Sequence, residues 1–473
     1  MVIEPYICKV YLWGILTFAK SAVKSKEGAE PMTAVIGKQG PDRGDTDGGT
    51  VHRAWDELLA RRTHALGGGE ITAILALAGA TDIITFSGGF PEPATFSTGV
   101  LADIAARLIA EDPGVALQYS ATEGLAGVRE YLSGRLAAQE GRAPATGELM
   151  ITSGGIDCME LLAKSYVDPG DVVVVELPTY LGAIMAFRGY EADVRGVPID
   201  DDGMRVEVLA GLLADGLRPK IVYTIPDYQN PSGLSMSAER RQALADLARR
   251  YGFLILEDVA YRELWFGSAP GASTVLGASS VLGASTVLGT STASPPSVWS
   301  LAPDVVLQAG TFSKIFSPGF RMGWAAGPAE IISRLVVAKQ NSDQCAGALG
   351  QRMLEEYGRG GHLDRQVAGA RVLYARRASL TTEALAAHMP DGSTWTTPAG
   401  GFYVWLTCPD GVDTVALAAA ARAEKVAYVP GRPFYLEGAG AGANQIRLAY
   451  SRVADDLIDE GIRRIADVVK SAL

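Results

Sequence analysis

Four short runs of the chain are apolar almost without interruption and stop at turn-forming residues: Asp171-Val-Val-Val-Val-Glu176, Lys220-Ile-Val-Tyr-Thr-Ile225, Phe253-Leu-Ile-Leu-Glu257 and Asp304-Val-Val-Leu-Gln308. Strands covered on both faces read as continuous apolar runs, so these segments predict buried strands of a mainly parallel sheet. Helical stretches such as Ser237 to Tyr251 separate several of them. Alternation of the two patterns from Arg53 onward predicts an α/β fold, with ligands bound at the strands' carboxyl ends.

Two stretches break this pattern. Gly271-Ala-Ser-Thr-Val-Leu is followed by Gly277-Ala-Ser-Ser-Val-Leu and Gly283-Ala-Ser-Thr-Val-Leu, three copies of a six-residue repeat that are too few to stack as a solenoid. They predict a low-complexity surface insertion over residues 268–297. Near the start, the apolar run Tyr6 to Ala19 falls short of the roughly 20 residues that span a bilayer. A polar stretch rich in Gly, Asp and Lys follows it, so residues 1–50 read as an N-terminal extension.

Composition narrows the function. The chain has 473 residues, long enough for two interlocked domains, and 48% of them are hydrophobic. Its 42 Lys+Arg against 53 Asp+Glu give a formal charge of -11, the wrong sign for general phosphate-backbone binding, so no nucleic-acid partner is expected. Cys8, Cys158, Cys345 and Cys408 lie far apart, and His52, His64, His362 and His388 form no paired-ligand pattern. Neither a disulfide framework nor a metal site is indicated, and a reducing cytoplasm is the expected setting.

The chemistry-bearing candidates follow the predicted strands. After the strand at 304–308 comes Thr311-Phe-Ser-Lys314-Ile-Phe-Ser-Pro-Gly-Phe-Arg321. A lysine that attacks a carbonyl must be partly neutral, which burial and a nearby cation favour, while hydroxyls and an arginine suit a phosphate. On this segment alone a surface lysine beside a Gly-Pro turn reads equally well. Asp258 and Tyr261 follow the strand at 253–257, and Asn230 follows the one at 220–225. Here a carboxylate could hold a protonated ring nitrogen, and an amide and a phenol a ring oxygen; each could also be a cap or core residue.

The order Asn230, Asp258, Tyr261, Lys314, Arg321 resembles the fold-type I pyridoxal-phosphate enzymes, specifically class I/II aminotransferases of the 2-aminoadipate, kynurenine and aromatic branch. The likeness runs from about Arg53 to Leu473. Ser87-Gly-Gly-Phe-Pro-Glu-Pro93, Leu117-Gln-Tyr-Ser120, Glu176-Leu-Pro-Thr-Tyr180 and Gln445-Ile-Arg-Leu448 support it. It implies a large cofactor domain at 111–350 built on a mainly parallel seven-stranded sheet flanked by helices. A smaller α/β domain would come from 51–110 and 351–473.

The resemblance also assigns roles. Lys314 would form the Schiff base with pyridoxal 5'-phosphate and shuttle the proton at the substrate α-carbon. Asp258 would pair with the ring nitrogen, Asn230 and Tyr261 would bond the ring oxygen, and Tyr180 would stack on the ring. Thr311, Ser313 and Arg321, with the turn Gly154, Gly155 and Ile156, would hold the phosphate. Gly89, Asn230 and Arg447 would meet the substrate, Arg447 as a two-bond clamp on its α-carboxylate. Tyr119 would reach the phosphate in a neighbouring subunit, which implies a homodimer.

One departure stands out. Where relatives of this type commonly carry Gly-Ser-Gln, the chain reads Gly155-Ile156-Asp157, so Asp157 either brings a carboxylate near the phosphate or caps the helix. The reaction implied is transfer of an amino group from an L-amino acid to a 2-oxo acid. The turn and the repeat keep open an alternative outcome on the same cofactor: decarboxylation, β- or γ-replacement, or oxidation. A DNA-binding regulator built on the fold is disfavoured, since the roughly 50 residues ahead contain no helix-turn-helix pattern. Asp200-Asp-Asp-Gly203 reads as a tight turn rather than a cation site, and Gly438 to Ala443 as a flexible loop.

Overall fold

The computed structural model describes residues 55–65, 82–267, 294–436 and 441–473. The extension at 1–50, the hexapeptide repeat, most of the 268–297 insertion and part of the Gly438–Ala443 loop lie outside the described residues. Trp55–Leu58 is a short 3-10 turn. The chain from Leu59 onward is one compact unit and is described by itself.

Its strands in chain order are β1 (Ile84–Thr85), β2 (Leu149–Thr152), β3 (Val172–Leu177), β4 (Asp193–Asp200), β5 (Gly203–Met204), β6 (Ile221–Thr224), β7 (Leu254–Asp258), β8 (Val306–Thr311), β9 (Gly323–Ala326), β10 (Thr394–Trp395), β11 (Tyr403–Thr407), β12 (Val426–Ala427), β13 (Val429–Pro430) and β14 (Gln445–Ala449). The four apolar runs are β3, β6, β7 and β8. Val173, Val174 and Val175 of β3 and Val222 and Tyr223 of β6 are wholly buried, as a sheet covered on both faces requires.

The main sheet runs β2-β9-β8-β7-β6-β3-β4-β5. The neighbours β8, β7, β6, β3 and β4 are parallel, whereas β9 is antiparallel to both β8 and β2. The sheet has eight strands rather than the expected seven. The extra one is the two-residue β5, made by the Asp200–Gly203 hairpin, where the Asp202 N–H donates to Asp200 Oδ1 at 3.0 Å and Gly203 takes φ +86°. That aspartate-rich motif is a tight turn.

The helix Ala238–Tyr251 joins β6 to β7. It starts because Ser237 Oγ accepts the Arg240 N–H, and it stops at Gly252, whose φ of +74° a side chain would resist. Leu244, Ala245 and Ala248 form its buried face. Such a crossover aligns the carboxyl ends of β6, β7 and β8 on one edge.

A second, antiparallel sheet has the order β10-β11-β14-β13. Arg447 on β14 lies opposite Trp405 of β11 and Val429 of β13, so it occupies an interior strand. From the N-terminal side, β1 pairs in parallel with β12, and the Ala449 N–H donates to the Phe86 carbonyl at 2.8 Å. The chain segment before the sheets and the last strands are thereby tied together at Ile84–Phe86.

Candidate active site

A cavity of about 290 Å³ opens at the carboxyl edge of β6, β7 and β8. Lys314 lies three residues past the end of β8 and lines it, with Nζ donating to the Gly89 carbonyl at 3.1 Å. Burial lowers the lysine to about 8, and the Arg447 and Arg321 cations act in the same sense while Asp258 opposes them. The surface-lysine reading is thereby excluded, because the amine faces into the cavity and its lowered pKa leaves a far larger neutral fraction at physiological pH than an ordinary lysine has.

Asp258 ends β7. Burial pushes its carboxyl up to about 6, although it accepts the Tyr223 hydroxyl at 2.9 Å and the Ala260 N–H at 3.1 Å. A carboxylate so placed is poorly solvated and gains from a cationic partner. Tyr261 lines the same cavity and its hydroxyl is 2.9 Å from that of Tyr403; burial drives its phenol upward. Tyr180 precedes the helix Leu181–Arg188, and burial raises its phenol to about 12, so it is an uncharged ring at any working pH.

Asn230 lies beyond β6 on a loop anchored by a buried ion network. Against the upward push of burial, Arg262 and Arg241 hold Asp227 down at about 2. Arg241 bonds Asp227 Oδ1 at 2.8 Å and Arg262 bonds Oδ2 at 2.9 Å. Asn230 Oδ1 accepts from Arg447 at 3.0 Å, and the second terminal nitrogen of Arg447 donates to the Ser87 carbonyl at 2.8 Å. The guanidinium sits 4.7 Å from the Tyr403 ring and 4.9 Å from the Phe434 ring. Its Nε is buried without a hydrogen-bond partner, an unmet donor of the kind a ligand satisfies.

The other end of the cavity is built for an anion. Thr311 Oγ1 donates to Ser313 Oγ at 3.0 Å, and Arg321 reaches Ser313 Oγ and the Ser153 carbonyl, each at 3.3 Å. Gly154, at φ +93°, precedes the helix Gly155–Tyr166, and a Cβ there would lie 2.5 Å from the Arg321 guanidinium. Gly155 and Ile156 supply the first helical N–H groups, which have no partner inside the helix and attract phosphate. Asp157 turns elsewhere: it accepts the Ser153 N–H at 2.8 Å and pairs with Lys339 at 2.8 Å.

Of the expected site residues, Gly89, Gly155, Ile156, Tyr180, Asn230, Asp258, Tyr261, Thr311, Ser313, Lys314, Arg321 and Arg447 line this one cavity. Gly154 lies beside it, against Arg321. Tyr119 does not line it and is 79% exposed. Sequence reasoning missed Tyr223 and Tyr403. Tyr223 sits in an apolar strand and looks like core; Tyr403, just after Gly400-Gly401, comes from the other sheet and carried only that glycine pair as a signal.

Residues 82–465 match the family model of aminotransferase class I and II. The chain belongs to that family. It is 34% identical to aromatic-amino-acid aminotransferase 1 of Thermococcus litoralis over 89% of this chain and 95% of that protein. It is 32% identical to 2-aminoadipate transaminase of Thermus thermophilus over 89% and 98%. Among solved structures, the kynurenine aminotransferase of Pyrococcus horikoshii superposes with a TM-score of 0.78 at 35% identity, covering 89% of this chain and 98% of that one. The protein is therefore a pyridoxal-phosphate-dependent aminotransferase of fold type I. The cavity fits the cofactor on its own terms: an amine with a lowered pKa, a buried carboxylate short of a cation, and an arginine-hydroxyl-helix cradle suited to a phosphate.

Proposed function

We propose that this aminotransferase exchanges the amino group of aromatic and other large apolar L-amino acids with a 2-oxo acid, and that Lys314 is its reactive lysine. When bound, pyridoxal phosphate supplies the electron-accepting ring that makes the substrate Cα–H bond breakable and carries the amino group. Lys314 would hold the cofactor through its aldehyde and would move the proton at the substrate Cα; its lowered pKa supports both tasks. Asp258 would hold the ring nitrogen, a pairing that would relieve its own buried charge. Asn230 and Tyr261 would bond the ring oxygen, and Tyr180 would cover the ring. Thr311, Ser313, Arg321 and the Gly154-Gly155-Ile156 turn hold the phosphate.

Arg447 binds the substrate α-carboxylate, next to Gly89 and Asn230. The observation that carries this reading is its buried, partnerless Nε in the same cavity as the Lys314 amine. Two parallel hydrogen bonds fix the Cα bonds relative to the ring, so this clamp governs which bond breaks. The rest of the lining supports an apolar substrate side chain: Phe90, Met159, Leu181, Ile225 and Phe434 surround the space. The aromatic and kynurenine aminotransferase relatives point the same way.

The enzyme is further proposed to act as a homodimer in the cytoplasm. Ile109, Val115, Leu117 and Tyr119 are all exposed within one short stretch, an apolar surface suited to a second copy. No helix among the described residues is long and apolar enough to cross a membrane. Residues 111–350 are proposed as the large domain and 51–110 with 351–473 as the small one, supported by the pairing of β1 with β12.

The test is to incubate the purified enzyme with an L-amino acid and 2-oxoglutarate and to identify both products. Phenylalanine or tyrosine should yield its 2-oxo acid and glutamate in equal amounts, and Lys314→Ala should abolish turnover. Higher kcat/KM for 2-aminoadipate than for the aromatic donors would overturn the side-chain assignment. Release of carbon dioxide or ammonia in place of glutamate would overturn transamination.

A further inference from the structure

Behind the phosphate end of the cavity, Lys339 of the helix Ala329–Gln340 is completely buried. Its Nζ lies 2.8 Å from Asp157 Oδ2, 2.7 Å from Asp343 Oδ1 and 3.2 Å from Ser153 Oγ. Every polar group of Ser153 is committed. Its N–H goes to Asp157, its hydroxyl meets Lys339 and Asp343, and its carbonyl accepts Arg321 at 3.3 Å. One side of Ser153 therefore belongs to a charge cluster around the buried Lys339 amine and the other to the arginine of the cavity.

We propose that Lys339 is a positioning residue for the cofactor phosphate: it neutralises Asp157 and Asp343 behind the turn and, through Ser153, sets the turn and Arg321. The proposal rests on the reading that the phosphate binds at Gly154–Ile156 and Arg321. Two carboxylates beside a site for a dianion would otherwise repel it, and the repulsion is strong where little water intervenes. The cluster also accounts for Asp157 at a place where a carboxylate looks adverse. Its charge is drawn away from the cavity and onto an ammonium that has no exposure to solvent.

The experiment compares two ligands on the full-length enzyme stripped of cofactor. Pyridoxal phosphate and unphosphorylated pyridoxal are titrated separately, and the ratio of their dissociation constants reports the phosphate contribution alone. Lys339→Met should lower the preference for the phosphorylated form by about tenfold or more. Asp343→Asn, at a partly exposed side chain, removes one negative charge and keeps the ammonium, so it should raise that preference a few-fold. Loss of fold cannot produce opposite signs.

If Lys339→Met weakens both ligands equally, or if Asp343→Asn leaves the ratio unchanged, the proposal fails; should Lys339→Met not fold, Asp343→Asn decides. Arg321→Leu separates the two readings. An unchanged ratio there would show that the phosphate lies elsewhere and would remove the basis of both. A reduced ratio in Arg321→Leu with no response at Lys339 and Asp343 would leave the phosphate site standing and overturn this inference alone.

Discussion

Lys314 illustrates how a site residue trades stability for reactivity. Its pKa falls from 10.5 to about 8, which means the cofactor-free fold disfavours the charged amine. The unfolded chain binds the proton more tightly, so this group's penalty is full below pH 8 and disappears as pH rises toward 10.5. The shift corresponds to about 3 kcal/mol, offset by about 1 kcal/mol for the hydrogen bond to Gly89. Lys314→Met should therefore make the cofactor-free protein about 2 kcal/mol more stable at pH 7, and the gain should vanish near pH 10. Denaturant unfolding at the two pH values measures it; a gain independent of pH would contradict the burial account.

Tyr403 makes a different prediction at the same scale. Its ring sits against Arg447 and its hydroxyl against Tyr261, while a side chain at Gly89 would collide with that hydroxyl. Tyr403→Phe keeps the ring and removes only the hydroxyl, leaving the Tyr261 phenol without its partner. Loss of one buried hydrogen bond is worth about 1 kcal/mol, so kcat should fall roughly five-fold. KM for the amino donor should change little, because the Arg447 clamp keeps its aromatic neighbours. A rise in KM at constant kcat would place the hydroxyl in substrate binding instead.

At the scale of elements, the turn between β2 and the helix Gly155–Tyr166 is the most exacting local structure of the site. Gly154 there has φ +93°, and its missing Cβ makes room for Arg321, which itself adopts φ +52°. Gly154→Ala adds backbone strain of order 1–3 kcal/mol and displaces the guanidinium. The expected outcome is at least tenfold weaker retention of the cofactor on dilution, with the fold intact by circular dichroism. Unaltered retention would show that the guanidinium can shift at no cost.

What the sequence discloses follows from the same distinction. Strands β3, β6, β7 and β8 were legible because burial on both faces leaves an unbroken apolar signature, and their end residues Asp258 and Thr311 could be read with them. Asn230 and Lys314 were legible through their order along the chain, and Arg447 through the family resemblance that order carries. Tyr223 was not, because it sits in an apolar strand and reads as core, and Lys339 and Tyr403 were not, because they act across large separations: Tyr403 meets a residue 142 positions away and Lys339 one 182 positions away. Asp157 shows the limit best, since the direction of its carboxylate depends on a lysine no local pattern could supply. The two-residue β5 likewise needed the hairpin's hydrogen bonds to be counted as a strand.

At the scale of the whole molecule, Tyr119 decides between a self-contained site and a shared one. It is 79% exposed and does not line the cavity of its own chain, while Leu117 beside it is 60% exposed. If the proposed dimer forms through this surface, Leu117→Asp should halve the mass in solution and reduce activity with it. The sharper experiment co-expresses two inactive chains, one carrying Lys314→Ala and the other Tyr119→Ala. In a mixed dimer with shared sites, the intact lysine of one subunit faces the intact tyrosine of its partner, so one of the two sites is wild type. Random pairing should then restore about a quarter of wild-type activity, because half the dimers are mixed and each holds one working site. If Tyr119 served its own chain, no pairing could unite it with Lys314, and the mixture would stay as inactive as its parents.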